Sequence, residues 1–524
     1  MPAKKRKTPW RFLRRTTQVA FLAVFLWLFR RTELDIFREV PDAVNWLFRL
    51  DPLVAASAML AGKAIVASLL LAVATIILTL ILGRFFCGWV CPMGTLLDAS
   101  RRLVRPPRTA LRWPRAKYFL LSLILASALV GLPLVGYFDP FSILVRGMTF
   151  AVDPALHYVL TEPFVWIYRH APESISNITE PIAETLKSSL LPAQRSTYLL
   201  AGLSFAILLG LFVLEKLGRR FWCRNLCPLG ALLALVARWS FLRRSPQKAC
   251  KGCRQCEREC RMGAFDQDAR MSPESCNLCM DCAADCPYGM VTLTFRRPTV
   301  APAPFEPSRR LFLGAAGTGL ALAAVATIER GAAAAGQPRC IRPPGAADEA
   351  AFLDACVRCG LCLKVCPTNA LQPAGLDAGW SGIFSPKLVP RIGFCEFNCT
   401  LCGRVCPTGA IRRLAEDEKH SFVIGKAQFD KDRCLPYASA KPCIVCEEHC
   451  PISPDKAIQV REVEVTNAEG QKILMKQPYV KFELCIGCGI CENKCPLLGA
   501  AGVRVHHLKD AAMTEEQTAS PAGR

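Results

Sequence analysis

Cysteine is the residue type through which this 524-residue chain can do chemistry: it has 29, and 24 of them fall into six short runs. Cys250, Cys253, Cys256 and Cys260, then Cys276, Cys279, Cys282 and Cys286, form two successive C-x2-C-x2-C-x3-C patterns. Three thiolates spaced two residues apart wrap one face of a [4Fe-4S] cubane, while the fourth serves the neighbouring cluster. Cys260 is therefore expected to join Cys276, Cys279 and Cys282, and Cys286 to complete the site of Cys250, Cys253 and Cys256. Arg261 stands where proline usually follows the fourth cysteine, which changes a turn and not a ligand. A zinc site would use paired C-x-x-C ligands, and a disulfide framework would be dispersed along the chain.

Four further runs follow: Cys356, Cys359, Cys362, Cys366; Cys395, Cys399, Cys402, Cys406; Cys434, Cys443, Cys446, Cys450; and Cys485, Cys488, Cys491, Cys495. The first and last are regular, whereas the second opens with three intervening residues and the third with eight. The six runs together predict six [4Fe-4S] clusters.

Four more cysteines lie in an internal repeat, Arg84-Phe-Phe-Cys87-Gly-Trp-Val-Cys91-Pro-Met-Gly against Arg220-Phe-Trp-Cys223-Arg-Asn-Leu-Cys227-Pro-Leu-Gly. The i, i+4 spacing would put each pair on one helical face if the segment is helical, and the following proline points to a helix restart. Cys87, Cys91, Cys223 and Cys227 together could bind a further cluster or metal at a pseudo-twofold centre, act as redox thiols, or be buried structural cysteines. Cys340 stands alone and reads as incidental.

Membrane spans must position these sites, since the chain is 52% hydrophobic with a mean hydropathy of +0.25. Apolar runs at Thr17 to Phe29, Ala64 to Leu82, Tyr118 to Gly136 and Tyr198 to Leu214 predict four spans, and the weaker run Leu311 to Ile328 a fifth. The first is short and would borrow flanking residues or snorkelling Arg30 and Arg31. Of the +22 net charge, nearly all belongs to residues 1–339, with 43 Lys/Arg against 22 Asp/Glu; residues 340–524 hold 22 against 21. That excess beside apolar runs predicts cytoplasmic loops, not nucleic-acid binding. Basic residues at the N-terminus, in the loop after Arg101 and around Arg219 and Arg243 place those segments inside, and the acidic loop Tyr137 to Thr197 outside. All six histidines fall outside the predicted spans, which argues against an intramembrane bis-histidine haem; His157 and His170 lie in the outer loop, where a proton-accepting quinol site is conceivable.

A Pro-rich linker, Arg297 to Pro307, precedes Ser308-Arg309-Arg310-Leu311-Phe312-Leu313, which reads as a twin-arginine export signal in mid-chain or as a fifth span with a basic flank. Cleavage at Ala332 to Gly336 would release the C-terminal part; either reading puts that part outside. Gly314 to Gly319 has no preceding strand and is given no nucleotide-binding role. The expected fold is an α-helical membrane domain of four spans plus a fifth signal or anchor span, with two α+β ferredoxin-like iron-sulfur domains. Its divisions are a membrane domain at 1–245, a cytoplasmic two-cluster ferredoxin at 246–296, linker and signal or anchor at 297–338, a periplasmic four-cluster domain at 339–510 and a disordered tail at 511–524.

Cys87-Gly-Trp-Val-Cys91-Pro, Cys223-Arg-Asn-Leu-Cys227-Pro and the two following runs resemble the NapH-type membrane subunit of periplasmic nitrate reductase systems. The twin-arginine segment and four later runs resemble the exported NapG/MauM-type ferredoxin. The resemblance implies a bacterial cytoplasmic-membrane protein that takes electrons from the quinol pool and passes them to a periplasmic reductase or c-type cytochrome, with quinol as substrate. Four-group subunits of molybdenum oxidoreductases imply that Cys366 completes the site of Cys485, Cys488 and Cys491, and Cys495 that of Cys356, Cys359 and Cys362. By the same resemblance Cys406 joins Cys434, Cys443 and Cys446, and Cys450 joins Cys395, Cys399 and Cys402. A metal-reducing or metalloenzyme-maturation ferredoxin is the alternative function. The sequence shows no residue that would be catalytic at a quinol site.

Overall fold

The computed structural model describes residues 9–32, 45–105, 107, 113, 115–172, 177, 179–185, 196–246, 253–265, 271–288, 290–295, 309–333, 340–466 and 470–510. The linker 297–307 and the tail 511–524 lie outside them.

Helix α1 (Trp10–Arg31) is 22 residues long, about 33 Å at 1.5 Å per residue, so it does not need the snorkelling predicted for a shorter run. The apolar count undershot because Arg14, outside the counted run, is buried with polar partners. After it, α2 (Pro52–Gly62) is N-capped by the Asp51 carboxylate. A tight turn at Ala67–Leu71 feeds α3 (Ala72–Leu82), and α4 (Pro92–Val104) and α5 (Ala116–Leu129) follow. Then come α6 (Pro140–Gly147), α7 (Asp153–His170), α8 (Ala201–Val213) and α9 (Pro228–Ala237).

Among the described residues, three helices are long and apolar enough to cross a membrane, namely Trp10–Arg31, Pro140–His170 and Arg309–Arg330; Pro52–Gly62, Ala67–Leu82, Ala116–Leu129 and Pro228–Ala237 are shorter apolar helices. The middle one corrects the reading of 137–197 as a plain loop. Its interior Arg146 and Asp153 interrupt a simple apolar count, yet both are buried and partnered. It also carries His157 and His170, so the two histidines read as lying in the outer loop are on a helix. Thirteen residues, about 20 Å of rise, still separate the two, too far to ligate one haem.

The first cysteine-rich unit begins earlier than residue 246, because strand β1 (Leu242–Pro246) pairs antiparallel with β2 (Val291–Phe295). Between them lie two single-turn helices, α10 (Gln255–Arg258) and α11 (Asp281–Ala284), packed on each other. Helix α12 (Arg309–Ala333) then packs along α5 with its small residues, and a Cβ on Gly319 would stand 2.7 Å from the Leu123 carbonyl oxygen. Close approach through small residues is how apolar helices associate where water offers no driving force.

The C-terminal unit joins three two-stranded sheets, β3 (Leu371–Pro373) with β4 (Pro386–Leu388), β5 (Lys426–Phe429) with β8 (Val503–His506), and β6 (Ile458–Thr466) with β7 (Lys472–Val480). Its short helices include α13 (Glu349–Ala355), α14 (Leu361–Lys364), α15 (Leu401–Val405), α16 (Glu416–Ser421), α17 (Val445–Glu448) and α18 (Ile490–Lys494).

The two cysteine-rich units cap opposite ends of the helices. Near the start of α1, Arg14 donates to the Cys279 carbonyl at 2.8 Å and pairs with Asp281. Near its end, the Lys364 ammonium lies 3.6 Å from the Phe29 ring centroid, and Arg30 pairs with Asp153, which also holds Lys364 at 3.1 Å. The 15 residues between Arg14 and Phe29 correspond to about 22 Å of helix.

Candidate iron-sulfur sites

In the C-terminal unit the short helices pack in consecutive pairs, α14 on α15 and α17 on α18, and each carries cysteines from its run. One cavity is lined by Cys356, Cys359, Cys362 and Cys406 (site 1). Burial, then the charges of Cys395, Cys399 and Cys366, push the Cys402 thiol up, which gathers those four as site 2. A second cavity is lined by Cys450, Cys485, Cys488 and Cys491 (site 3) and a third by Cys434, Cys443, Cys446 and Cys495 (site 4).

This arrangement corrects the pairing of first run with last and second with third. The structure exchanges fourth cysteines between the first and second runs and between the third and fourth. The physical reason is local: each run's single-turn helix buries its apolar face on the next run's helix, as Leu361 does beside Leu401 and Val405 in one core. The fourth cysteine is thereby carried across to its neighbour's cavity. Two successive two-site modules result.

The sites also fall in order. Cys362 of site 1 feels the charge of Cys402 in site 2. The Cys395 amide of site 2 donates to the Cys488 carbonyl of site 3 at 2.8 Å. Cys491 of site 3 feels Cys446 of site 4. Site 1 lies on the helices: a Cβ on Gly136 would overlap the Val357 carbonyl, and one on Gly360 would meet Arg146 and Phe150. Arg358, 1% exposed, donates to the Pro133 carbonyl, and Arg146 donates to the carbonyls of Gly136 and Arg358.

In the first unit, Cys260 lines one cavity with Cys276, Cys279 and Cys282, the grouping expected from the spacing. Cys250 lies outside the described residues; of its expected partners, Cys253 is exposed and Cys256 and Cys286 are half-buried. Arg261, in the place of the usual proline, is buried and pairs with Asp281 and, at 2.8 Å, with Asp98 of α4. The departure from the pattern therefore ties this unit to the helices.

The repeated cysteine pairs meet beside it. They are not on continuous α-helix: Phe86–Val90 and Trp222–Leu226 are wide π turns, closed by Cys91 N to Phe86 O at 3.0 Å and Cys227 N to Trp222 O at 2.9 Å. Such turns recur at functional sites. Cys91 and Cys227 are extended, and Pro92 and Pro228 restart the chain as helices. Burial, then the charges of Cys223, Cys87 and Cys91, push the Cys227 thiol up, so the four form one centre.

Two buried arginines frame it reciprocally. Arg220 of the second repeat donates to the carbonyls of Cys87 and Gly94 in the first, and Arg84 of the first reaches the second, where a Cβ on Gly230 would stand 2.9 Å from its Nη2. Gly94 and Gly230 occupy equivalent repeat positions and leave room for these side chains. Arg220 is neutralised by Asp98 at 2.7 Å. Arg84, 1% exposed, instead donates to the Glu274 carbonyl and lies 4.0 Å from Cys87 Sγ.

The donor sets fit iron-sulfur clusters. Four thiols crowded together, Cys227 buried and the others half-buried, cannot all ionise beside one another without cations among them, and a buried arginine needs an anionic partner; metal thiolates answer both requirements at the central centre. Among the described residues no three His, Cys, Asp or Glu side chains converge closely enough for a single metal ion. The cysteines instead line four separate cavities, each with four thiols around it. Cys340 contacts Asp377 and joins no site.

Of the sequence-predicted cysteines, the structure brings together those of the outer runs, Cys260 with Cys276, Cys279 and Cys282, and the two central pairs; the sequence reading missed the charged frame around them, Arg84, Arg220, Asp98 and Lys364. The repeat itself carried a signal for the first two, since arginine precedes the first cysteine by three residues in both copies.

Comparison with known proteins agrees with these sites. A family profile described as a 4Fe-4S binding domain matches residues 64–109 and 198–247, the two halves of the central centre, and a second of the same description matches 352–372 and 478–497. The methylamine utilization ferredoxin-type protein MauM of Methylorubrum extorquens is 36% identical over 210 residues, covering 38% of this chain and 90% of that protein. The ferredoxin-type protein NapG of Escherichia coli K12 is 35% identical over 180 residues, 32% of this chain and 76% of NapG. The protein NirI of Paracoccus denitrificans is 29% identical over 203 residues, 38% of this chain and 24% of NirI. No solved structure matches the chain. With its cysteines gathered into ferredoxin-type sites and most of a MauM aligned to it, the chain belongs to the polyferredoxin family of MauM and NapG, whose members serve iron-sulfur electron transfer.

Proposed function

We propose that this chain is anchored in the bacterial cytoplasmic membrane and passes electrons from quinol to a periplasmic reductase or c-type cytochrome. The observation that carries the reading is the placement of cysteine sites at both ends of an apolar helical domain. One ferredoxin unit and the central four-cysteine centre lie at the end marked by Arg14, and four sites in order lie at the end marked by Arg30. Positive flanks at the first end, Arg11, Arg14, Arg84, Arg220, Arg309 and Arg310, make it the cytoplasmic end.

In this reading the six ferredoxin-type runs hold six [4Fe-4S] clusters, and Cys87, Cys91, Cys223 and Cys227 hold a seventh. A bound [4Fe-4S] cluster supplies a one-electron couple. The chain's own residues fix the environment: Arg84 and Arg220 place positive charge at the central thiols, while α14 to α18 hold the outer thiols in adjoining cavities. Helix α12 stays in place as an anchor, because its middle is packed on α5 and its C-terminal end is held by the outer unit. Its small face lies on α5, while Glu329 accepts from the Trp380 amide at 2.9 Å and Arg330 pairs with Asp354 at 2.7 Å.

Membrane vesicles holding the full chain test the function. Supplied with quinol alone, the clusters should become reduced, and iron and sulfide should correspond to more than six cubanes. Clusters that stay oxidised with quinol yet reduce with a cytosolic ferredoxin would overturn the quinol assignment.

A further inference from the structure

The second cysteine run departs from regular spacing by one residue, giving Glu396, Phe397 and Asn398 between Cys395 and Cys399. Helix α16 holds all three. The Lys419 ammonium donates to the carbonyl of Glu396 and, at 2.8 Å, to that of Phe397. His420 stacks on Phe397 with ring centroids 4.0 Å apart and an interplanar angle of 2°, and its Nε2 lies 3.1 Å from Asn398 Oδ1.

The consequence is a buried cation at the seam between the two outer modules. Lys419 is 3% exposed. Its neighbour Glu418 pairs with Arg412 instead, at 2.5 Å. The lysine charge acts on Cys395, Cys399 and Cys402 of site 2 and on Cys488 of site 3, and the backbones of those two sites touch through the Cys395 amide and the Cys488 carbonyl. A fixed positive charge in a dry setting favours the form of its neighbour that carries one more electron.

We propose that Lys419, seated by the enlarged loop of the second run, is the positioning residue that sets the reduction potential where the two modules meet, raising site 2 most and site 3 less. The reaction it biases is a one-electron reduction in which an external reductant is oxidised and the electron comes to rest at site 2. The proposal rests on the cluster reading given above.

The test uses the full chain carrying Lys419→Gln, which keeps amide donors without the charge, Lys419→Met, which keeps length alone, and Lys419→Arg. Iron and sulfide are counted first, and potentiometric titration with dithionite is then followed by electron paramagnetic resonance. With iron unchanged, both neutral variants should lose at least tenfold in the equilibrium constant for reducing one cluster, 59 mV per tenfold for one electron. A second cluster should shift less, the rest should stay put, and Lys419→Arg should match the unaltered protein. Unchanged midpoints in both neutral variants would overturn the proposal. So would loss of iron from both, which would make the lysine a holder of the Glu396 to Asn398 loop. Absence of cluster signals from the unaltered protein would sink the underlying cluster reading instead.

Discussion

Replacing Arg84 with glutamine separates a charge that serves a cluster from one that merely fills space. The guanidinium lies 4.0 Å from Cys87 Sγ, is fully buried, and donates to the Glu274 carbonyl without a carboxylate partner among the described residues. Two unit charges at that distance interact by about 4 kcal/mol at an effective dielectric of 20. Cluster charge is spread over several atoms, so roughly 2–4 kcal/mol is the expected difference for adding one electron. That corresponds to a midpoint lowered by ~85–170 mV at 59 mV per tenfold. The assay is a potentiometric titration of the full chain by electron paramagnetic resonance, with Arg84→Lys as the charge-preserving control. Stability supplies an opposite-signed readout: in iron-free protein the arginine is a buried cation facing neutral thiols, so Arg84→Gln should stabilise that form while destabilising the loaded one. Full iron retention with an unmoved midpoint, or destabilisation of both forms alike, would refute the argument.

Three other outcomes follow from the geometry. Cys406→Ser should perturb the cluster held by Cys356, Cys359 and Cys362, and Cys495→Ser the one held by Cys434, Cys443 and Cys446; electron paramagnetic resonance of the two variants should change different signals, and pairing of first run with last would reverse them. Gly88→Ala places a Cβ 2.2 Å from the Asn277 carbonyl, and should weaken docking of the first ferredoxin unit by roughly 1–3 kcal/mol, read as faster hydrogen exchange over residues 276–282. Mass measurement of the cellular protein should give one uncleaved chain, since the C-terminal end of α12 is held through Trp380 and Asp354; a separate C-terminal fragment beginning near residue 336 would show that the helix is removed.

How much could be read from the sequence depended on whether information was local. The cysteine runs, the repeat and the grouping of Cys260 with Cys276, Cys279 and Cys282 in one cavity follow from short spacings and were legible. The partner of each outer run was not, because Leu361, Leu401 and Val405 are equally apolar in any pairing, and only their mutual packing decides it. Helix α1 was read too short because Arg14 counts as polar and charged, although its partners, the Cys279 carbonyl and Asp281, are supplied from far along the chain. The helix at Pro140–His170 was missed for a similar reason: Asp153 looks like a loop residue until Arg30 and Lys364 are found on either side of it.

The same packing bears on how the central centre communicates with site 1, for which the sequence offered no element. Residues Gly136 to Phe150 touch the outer unit at several points, at Gly136, Arg146 and Phe150, yet Phe141 between them points back into the bundle. Its ring lies 6.0 Å from that of Phe86, which adjoins Cys87, and 6.4 Å from that of Phe48. Phe141 and Phe86 are both buried, so their rings pack against each other inside the bundle. One segment therefore contacts the neighbourhood of Cys87 through Phe141 and that of Cys359 through Arg146. Shortening Phe141 to alanine would open a cavity there at a cost of about 3–5 kcal/mol, while leaving every cysteine in place. If electrons pass between the two ends within one molecule, that substitution should slow reduction of the outer clusters from the inner ones without shifting any midpoint. If quinol instead delivers its electrons directly beside site 1, the rate from quinol should be unchanged while the inner-to-outer rate falls, so the pair of rates locates the point of entry.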